Sequence, residues 1–156
     1  MRLRRSEVGD AGAMCALLNP IVAAGGTTAH RVPFTEERMI RHYVAPPLGI
    51  ACTLALDDTG LLGFQALERA DPDWKGPDPL PEGWAVVATF VRVGAQGRGV
   101  GRTLFAETIA AARSAGIVAI DATIRRPNAG GLRFYEGLGF RTWRETAEAI
   151  SKRYDL

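Results

Sequence analysis

The sequence reads Gln96-Gly97-Arg98-Gly99-Val100-Gly101 between a predicted strand, Trp84 to Val93, and a predicted helix, Gly101 to Ala115. In this position glycines let the backbone approach a ligand closely, and their N–H groups can point at phosphate oxygens. The helix adds the positive end of its dipole, and Arg98 and Arg102 complement a phosphate. Glycines before a helix can also form a plain tight turn, but four glycines within residues 94–101, with an arginine among them, favour a phosphate-binding loop.

Two well-known phosphate-binding loops differ from this segment. A P-loop needs Lys-Ser/Thr where this chain has Val100-Gly101, so that assignment fails. A dinucleotide fingerprint, Gly-x-Gly-x-x-Gly, would place its third glycine at Leu104. Asp121 lies about 20 residues downstream, as the ribose-binding acid of that fold does. That fingerprint normally opens its domain, however, and here it would come late, so the dinucleotide interpretation is the weaker one.

Outward from the loop, the chain alternates between strand-like and helix-like patterns. A first helix is predicted from near Asp10 to Gly25-Gly26, with a kink or break at Pro20. A second helix, capped by Thr35, runs from Glu36 to about Val44. Further strands are predicted at Leu3–Arg5, Ile50–Leu56, Leu61–Leu67 and Ile117–Ile124, with a helix at Ala129–Leu138 and two strands after Gly139. This order predicts a mixed α/β fold with an antiparallel first half and one late βαβ crossover.

Length, charge and composition limit the classes of protein to which this chain can belong. A length of 156 residues predicts a single domain, 1–156, and a net charge of +2 gives no whole-chain case for binding nucleic acid or an anionic membrane. No apolar stretch is long enough for a transmembrane helix, and no apolar core follows the basic residues 1–5 as in a signal peptide. Two cysteines and no Cys/His cluster predict neither a disulfide framework nor a metal site. We expect a reduced, cytoplasmic protein.

The loop and a later segment together resemble the GNAT superfamily of acetyl-CoA-dependent N-acetyltransferases. The family's pyrophosphate signature, Gln/Arg-x-x-Gly-x-Gly/Ala after the fourth strand, matches Gln96 to Gly101 at every fixed position. Its second signature matches Asn128, Gly131, Tyr135 and Gly139-Phe140. The resemblance implies a central, mostly antiparallel sheet of six to seven strands with four helices. Residues 25–28, Gly-Gly-Thr-Thr, are similar to the branch that includes phosphinothricin acetyltransferases.

The resemblance also implies acetyl-CoA as the cofactor and assigns residues to it. The end of the fourth strand would pair with the pantetheine arm, and the loop N–H groups would hold the pyrophosphate. Asn128 would contact the cofactor arm, although it can equally cap the helix that follows, and the two roles are compatible. The implied cofactor-binding residues are Val91, Arg92, Val93, Gln96, Gly97, Arg98, Gly99, Val100, Gly101, Arg102, Asn128 and Tyr135.

Tyr135 corresponds to the tyrosine that lies near the thioester sulfur in this family. A thiol has a pKa of about 8.5 and a phenol about 10, so full proton transfer to the departing thiolate is uphill by about 2 kcal/mol. A hydrogen bond to the developing charge is as good an interpretation as general-acid catalysis. The alternative is that Phe134-Tyr135 only packs a short helix against the core.

The base that would deprotonate the acceptor amine is not evident. Many family members use a glutamate on the fourth strand, but residues 87–90 of this chain, Val-Ala-Thr-Phe, offer no acid. The main candidates for the catalytic base are His30 and Glu68, and Glu82 and Asp121 are secondary candidates. Two further alternatives are a chain of water molecules that accepts the proton and an acceptor amine of low pKa.

The remaining aromatic residues and cysteines allow simpler interpretations. Trp74 and Trp84 flank an irregular, proline-rich loop, Asp71 to Gly83, and either line an acceptor pocket or pin this loop to the core. If Asp121 is buried in its mostly apolar strand it needs a partner, and a structural hydrogen bond is favoured over a catalytic role. Cys15 and Cys52 are expected to be buried spacers.

Taken together, the sequence predicts transfer of an acetyl group to a primary amine of a small molecule. The expected chemistry is direct attack of the amine in a ternary complex, without a metal. The resemblance also makes a homodimer possible, since dimers are common in the family. The near-neutral charge argues mildly against very basic acceptors. Two alternatives are a non-catalytic acyl-CoA-sensing module and a dinucleotide-dependent oxidoreductase.

Overall fold

Seven strands form one sheet in the order β1-β2-β3-β4-β5-β7-β6 in the computed structural model, which describes residues 1–156. The strands are β1 Arg2–Arg5, β2 Gly49–Asp57, β3 Gly60–Arg69, β4 Trp84–Val91, β5 Ala119–Arg125, β6 Arg141–Glu145 and β7 Ala149–Asp155. The helices are α1 Ala11–Ala24, α2 Glu36–Met39, α3 Val100–Ser114 and α4 Ala129–Leu138. The predicted mixed α/β fold with up to seven strands and four helices is confirmed.

The helices cover both faces of the sheet. On one face, α1 and α2 bury Met14, Leu18 and Met39 against Leu54 and Phe64 of the first hairpin. On the other, α3 and α4 pack against β4 and β5 through a second cluster that includes Phe105, Ala112, Val87, Ile120 and Tyr135. Because side chains alternate along a strand, β3 and β4 contribute to both clusters. No helix combines the length and the apolar character needed to cross a membrane.

Three local predictions differ from the structure. Of the kink or break predicted at Pro20, the break is wrong, since α1 is continuous from Ala11 to Ala24; the missing N–H of proline removes one hydrogen bond of a helix whose other turns remain bonded. The second helix changes after Met39 into a π-helical turn, Ile40–Val44, because the N–H of Ala45 donates to the carbonyl of Ile40 at 2.8 Å. The fourth strand ends at Val91 rather than Val93, since the chain turns at Gly94.

The strands β4 and β5 separate along their length, and this separation positions the site. They are the only parallel neighbours, and they pair at three positions, Trp84 to Val86 opposite Ala119 to Asp121. Beyond this point β4 remains paired with β3 up to Val91, whereas β5 follows β7 up to Arg125. The sheet therefore opens between the carboxyl ends of two adjacent strands, in the middle of the molecule.

Candidate active site

A cleft of about 830 Å³ lies at the opening between β4 and β5. Its wall combines the end of β4, the glycine-rich loop, the first turns of α3 and α4, and the end of α1. Ten of the twelve residues that the resemblance assigns to the cofactor line this cleft: Val91, Val93, Gln96, Gly97, Gly99, Val100, Gly101, Arg102, Asn128 and Tyr135. Residues distant in the sequence thus meet in one cavity.

The glycine-rich loop presents a row of free hydrogen-bond donors. The backbone N–H groups of Gln96 to Arg102 donate to no other group of the protein, and intrahelical bonding begins with Thr103 donating to Gly99. Gly97 and Gly99 have φ of 79° and 78°, a left-handed conformation that favours glycine. Unpaired N–H groups at the start of a 15-residue helix form a binding site for anions.

Gly101 has a different role from the other loop glycines. A Cβ at this position would come within 2.7 Å of the Phe134 ring of α4. The absence of a side chain therefore lets the start of α3 approach α4 closely, and both residues line the cleft.

Asn128 makes contacts in two directions. Its side-chain Oδ1 accepts a hydrogen bond from the N–H of Gly131 at 2.9 Å, which caps α4. Its Nδ2 donates to the carbonyl of Thr27 at 3.2 Å, which ties the loop after α1 to the start of α4. Asn128 thus caps a helix and lines the cleft at the same time.

Tyr135 lines the cleft and is buried, with 7% of its surface exposed. Its hydroxyl is 2.9 Å from the Oγ1 atom of Thr89, which in turn accepts from the Nε2 atom of Gln65 at 2.9 Å. Burial raises the pKa of Tyr135 to about 12, although the hydrogen bond with Thr89 opposes this rise. The phenol is therefore held neutral at pH 7 and can donate its proton in a hydrogen bond.

Arg92 and Arg98 lie outside the cleft. The Arg92 guanidinium donates to Thr59 Oγ1 at 3.0 Å and to the carbonyl of Leu61, on the side of the β2–β3 hairpin. Arg98 forms a 3.2 Å ion pair with Asp57. The arginine side chain that the structure brings to the cleft is that of Arg102, which also donates to the carbonyl of Gly137.

His30 lies in an aromatic cluster beside the cleft rather than in its wall. Its Nε2 atom is 2.6 Å from the hydroxyl of Tyr43, and its ring packs against those of Phe34, His42 and Phe90. Burial, followed by the charges of His42 and Arg38, lowers the pKa of His30 to about 4.

Glu68 lines a second cleft of about 470 Å³. Glu68 and Val86 are register partners, as are Val86 and Asp121, so all three lie on the same face of the sheet. This face is opposite to the one on which Thr89 meets Tyr135, because residues 86 and 89 alternate along β4. The second cleft therefore lies on the α1–α2 face, beside the last pair that joins β4 to β5, and it shares no lining residue with the first cleft.

The two acids of the second cleft differ in their environment. Asp121 is buried, and its carboxylate accepts from Trp143 Nε1 at 2.8 Å and from Thr123 Oγ1 at 2.9 Å, which agrees with the structural role expected for it. The half-buried carboxylate of Glu68 accepts no hydrogen bond from the protein, and burial raises its pKa. Glu82 lines neither cleft.

The two tryptophans of the proline-rich loop have separate positions. Trp74 is half exposed, lines the second cleft and donates from Nε1 to the carbonyl of Pro77. Trp84 is buried against Trp143 with ring centroids 4.8 Å apart and lines neither cleft. Thus Trp84 belongs to the core, and Trp74 belongs to the cavity.

Sequence reasoning did not single out Thr89, Gln65 or Thr108, which connect to Tyr135. One signal was available, since Gln65 interrupts the apolar run Leu61–Leu67 and Thr108 falls in the apolar stripe of α3. Polar residues at core positions need partners, but the sequence does not say which partners they find.

Solved structures with the same fold include several acetyltransferases. A GCN5-related N-acetyltransferase from Kribbella flavida is 26% identical, with a TM-score of 0.81 over 99% of this chain and 97% of that one. A ribosomal-protein-alanine N-acetyltransferase from Brucella melitensis is 18% identical, with a TM-score of 0.78 over the whole of both chains (100% each). A phosphinothricin acetyltransferase from Sinorhizobium meliloti, in complex with AcCoA, is 18% identical, with a TM-score of 0.82 over 99% and 88%. No curated protein matches the sequence.

The family model described as "Acetyltransferase (GNAT) family" matches residues 24–140, about three quarters of the chain. This range contains both signatures that carry the resemblance, the loop from Gln96 to Gly101 and the segment from Asn128 to Phe140. The chain therefore belongs to the acetyltransferase (GNAT) family.

Proposed function

We propose that this protein transfers the acetyl group of acetyl-CoA to a primary amine of a small molecule. The observation that carries the proposal is the row of unpartnered N–H groups from Gln96 to Arg102 in the wall of a deep cleft. These donors fit a pyrophosphate, and Asn128 and the end of β4 lie farther along the same cleft, where an extended cofactor arm would run. The residues present therefore fit acetyl-CoA.

The second cleft is the proposed acceptor site. It lies on the α1–α2 face of the sheet beside the last β4–β5 pair, and its volume of about 470 Å³ suits a small molecule. Five carboxylates and two arginines line it, namely Glu68, Asp71, Asp78, Asp121, Glu148, Arg69 and Arg144. The carboxylates outnumber the guanidinium groups by three, and this excess of negative charge favours a cationic amine. This local excess of acid supports a basic acceptor more than the net charge of the chain does.

Glu68 is the proposed base, either directly or through a water molecule. Its free carboxylate and raised pKa make it a better proton acceptor than an ordinary exposed glutamate. His30 is a poorer candidate, because a pKa of about 4 makes its conjugate acid too strong to hold the proton of an amine.

Bound acetyl-CoA supplies the thioester carbonyl that the neutral amine attacks. An ammonium acceptor would first release one proton to water. Glu68 would then accept the second proton, which the nitrogen loses as the C–N bond forms, and main-chain N–H groups near Val91 would stabilise the carbonyl oxygen while CoA leaves as the thiolate. Tyr135 donates its O–H to the sulfur as the C–N bond forms and the electron pair of the C–S bond moves onto sulfur. With a phenol pKa of about 12 and a thiol pKa of about 8.5, full transfer of the Tyr135 proton would be uphill by about 5 kcal/mol. Tyr135 therefore acts as a hydrogen-bond donor rather than as a full acid.

Thermal unfolding in the presence of acetyl-CoA, CoA, NADH and ATP tests the cofactor. A ligand at about 100 times its Kd adds about 2.7 kcal/mol to the unfolding free energy, so acetyl-CoA and CoA are expected to raise Tm by several degrees. A rise with NADH and not with CoA would favour the oxidoreductase alternative. A rise with acetyl-CoA and no thiol release with any amine of a broad panel would favour the acyl-CoA-sensing module.

The variant Glu68→Gln tests the acceptor side. We expect it to lower kcat by about tenfold or more, as loss of a general base does, with an unchanged acetyl-CoA-induced rise in Tm. Asp58→Asn is the matched control, because Asp58 is an exposed carboxylate of the β2–β3 turn that lines neither cleft. Equal activity of the two variants would remove Glu68 from the mechanism.

A further inference from the structure

A hydrogen-bonded chain of side chains runs from the interior of the protein to Tyr135. Thr108 of α3 donates from Oγ1 to Gln65 Oε1, Gln65 of β3 donates from Nε2 to Thr89 Oγ1, and Thr89 of β4 meets the hydroxyl of Tyr135. Gln65 and Thr108 are each 1% exposed, so water does not compete for these bonds. Four separate elements of structure thus contribute one polar group each to a single line.

The positions of the two Gln65 amide atoms give the direction of the hydrogen bonds: Oε1 lies at Thr108, whose hydroxyl is also 3.3 Å from the carbonyl of Leu104, and Nε2 lies at Thr89. A hydroxyl has one proton, and an amide has distinct donor and acceptor ends. Because Thr108 donates to the Gln65 oxygen, the Gln65 NH₂ group faces Thr89 and occupies an acceptor position of its hydroxyl. The proton of Thr89 is then free to point at the oxygen of Tyr135, 2.9 Å away.

The direction at Thr89 decides what Tyr135 can do. If Thr89 donates to Tyr135, the phenol O–H remains available to a group in the cleft that Tyr135 lines. If Tyr135 donated to Thr89 instead, its only proton would be committed to the protein. The first arrangement also strengthens Tyr135 as a donor, since a phenol that accepts a hydrogen bond gives up its proton more readily.

We propose that Thr89, held by Gln65 and Thr108, is a positioning residue that donates to the Tyr135 oxygen and thereby directs the Tyr135 proton into the cleft, toward the sulfur of the bound thioester. This inference rests on the proposed acetyltransferase function. As the C–S bond breaks, its electron pair goes to sulfur, and the Tyr135 O–H donates to that sulfur. Thr89 in turn donates to the phenol oxygen, whose partial negative charge increases.

Thr89→Val removes the hydroxyl while keeping the shape of the side chain, and Thr89→Ser restores the hydroxyl. Loss of one hydrogen bond to the reacting phenol is expected to lower kcat by about tenfold in Thr89→Val, with Thr89→Ser close to wild type. The KM for acetyl-CoA should stay within about twofold, because Thr89 acts on the departing charge rather than on uniform binding. A tenfold rise in KM with normal kcat would contradict the proposal.

A double-mutant cycle with Tyr135→Phe separates positioning from a general effect on the fold. Tyr135→Phe alone is expected to lower kcat by about tenfold or more. In that background Thr89→Val should have no further effect, since the group that it directs is gone. A further tenfold loss would show that Thr89 acts independently of Tyr135 and would overturn the inference.

A spectroscopic measurement on the protein without acetyl-CoA provides a readout other than activity. The ¹³Cζ resonance of Tyr135, identified by its loss in Tyr135→Phe, responds to hydrogen bonding at the phenol oxygen. Its chemical shift should change in Thr89→Val and be close to the wild-type value in Thr89→Ser. An unchanged chemical shift in Thr89→Val would contradict the contact. Failure of the wild type to shift its Tm with acetyl-CoA would instead count against the proposed function, so the two failures are distinguishable.

Discussion

His30 titrates in a setting where protonation opposes folding. Its imidazole is partly buried, its Nε2 atom is bonded to the Tyr43 hydroxyl, and the cationic Arg38 and a second titratable histidine, His42, lie nearby. These surroundings lower its folded-state pKa to about 4, whereas an unfolded histidine has a pKa of about 6.5. Between these values the unfolded chain binds a proton that the folded chain does not. The stability that His30 contributes is therefore complete above about pH 6.5 and is lost as the pH falls toward 4.

We expect Tm to decrease from about pH 7.5 to 5.5, and we expect His30→Gln to flatten part of this dependence. The glutamine amide can still bond to Tyr43 but does not titrate. His42→Gln is the companion variant, because burial and Arg38 lower the pKa of His42 in the same direction. If Tm falls by the same amount over this pH range in the wild type and in His30→Gln, the titration of His30 does not control stability.

At the scale of single residues, the sequence predicted those roles that depend on local backbone chemistry. The glycine pattern around Gly97 and Gly99 could be interpreted because a left-handed φ and free N–H groups are properties of the loop itself. The hydrogen-bond partners of Tyr135 could not be predicted from the sequence, because Gln65 and Thr89 are 24 residues apart and meet only through strand pairing. The same is true of His30, whose low pKa results first from burial and then from the charges of His42 and Arg38.

At the scale of elements, the start of α4 is held in place by two hydrogen bonds of a single side chain. Asn128 caps the helix through Oδ1 and reaches Thr27 through Nδ2. Asn128→Ala removes both contacts and should lower the unfolding free energy by about 1 kcal/mol, the usual cost of losing an N-cap. Asn128→Asp keeps an acceptor for Gly131 and suits the positive end of the helix, but it cannot donate to Thr27.

Urea unfolding of the two variants separates the contacts. Asn128→Asp should regain most of the stability that Asn128→Ala loses, because the cap is the stronger of the two contacts in a ten-residue helix. Equal losses in the two variants would instead assign the stability to the bond with Thr27.

The bounds of most elements followed from local signals such as Thr35, whose side chain accepts from Arg38 as an N-cap should. The exceptions have tertiary causes. The π-helical turn after Met39 places Tyr43 in the core beside Phe64, which a periodic pattern of 3.6 residues cannot anticipate. Likewise, the point at which β4 and β5 separate depends on the pairing of β5 with β7, a strand that begins 24 residues after β5 ends.

At the scale of the whole molecule, the two clefts lie at different parts of one sheet. Three pairs join β4 to β5, and beyond them each strand follows its other neighbour, which opens the sheet at the cleft of the glycine-rich loop. The carboxylates of the second cleft lie around the paired residues Val86 and Asp121, on the α1–α2 face. Under the proposed function, the cofactor would occupy the first cleft and the acceptor the second.

The two cysteines report on the packing of the α1–α2 face as a whole. Cys15 and Cys52 are free, buried, and members of the same core cluster. Burial raises the pKa of both thiols, that of Cys52 to about 11, so almost no reactive thiolate is present at pH 7.5. We therefore expect the native protein to react with an aromatic disulfide reagent only at the slow rate at which this face opens.

In denaturant the same reagent should titrate two thiols per chain. The contrast has a practical consequence, because released CoA can then be followed with this reagent without a contribution from the enzyme. Cys15→Ala and Cys52→Ala identify the source of any native labelling. Labelling of Cys52 within seconds in the native state would mean that β2 separates readily from α1, and the packing described for this face would be wrong. Slow labelling that accelerates in step with unfolding would instead tie both thiols to the global stability of the fold.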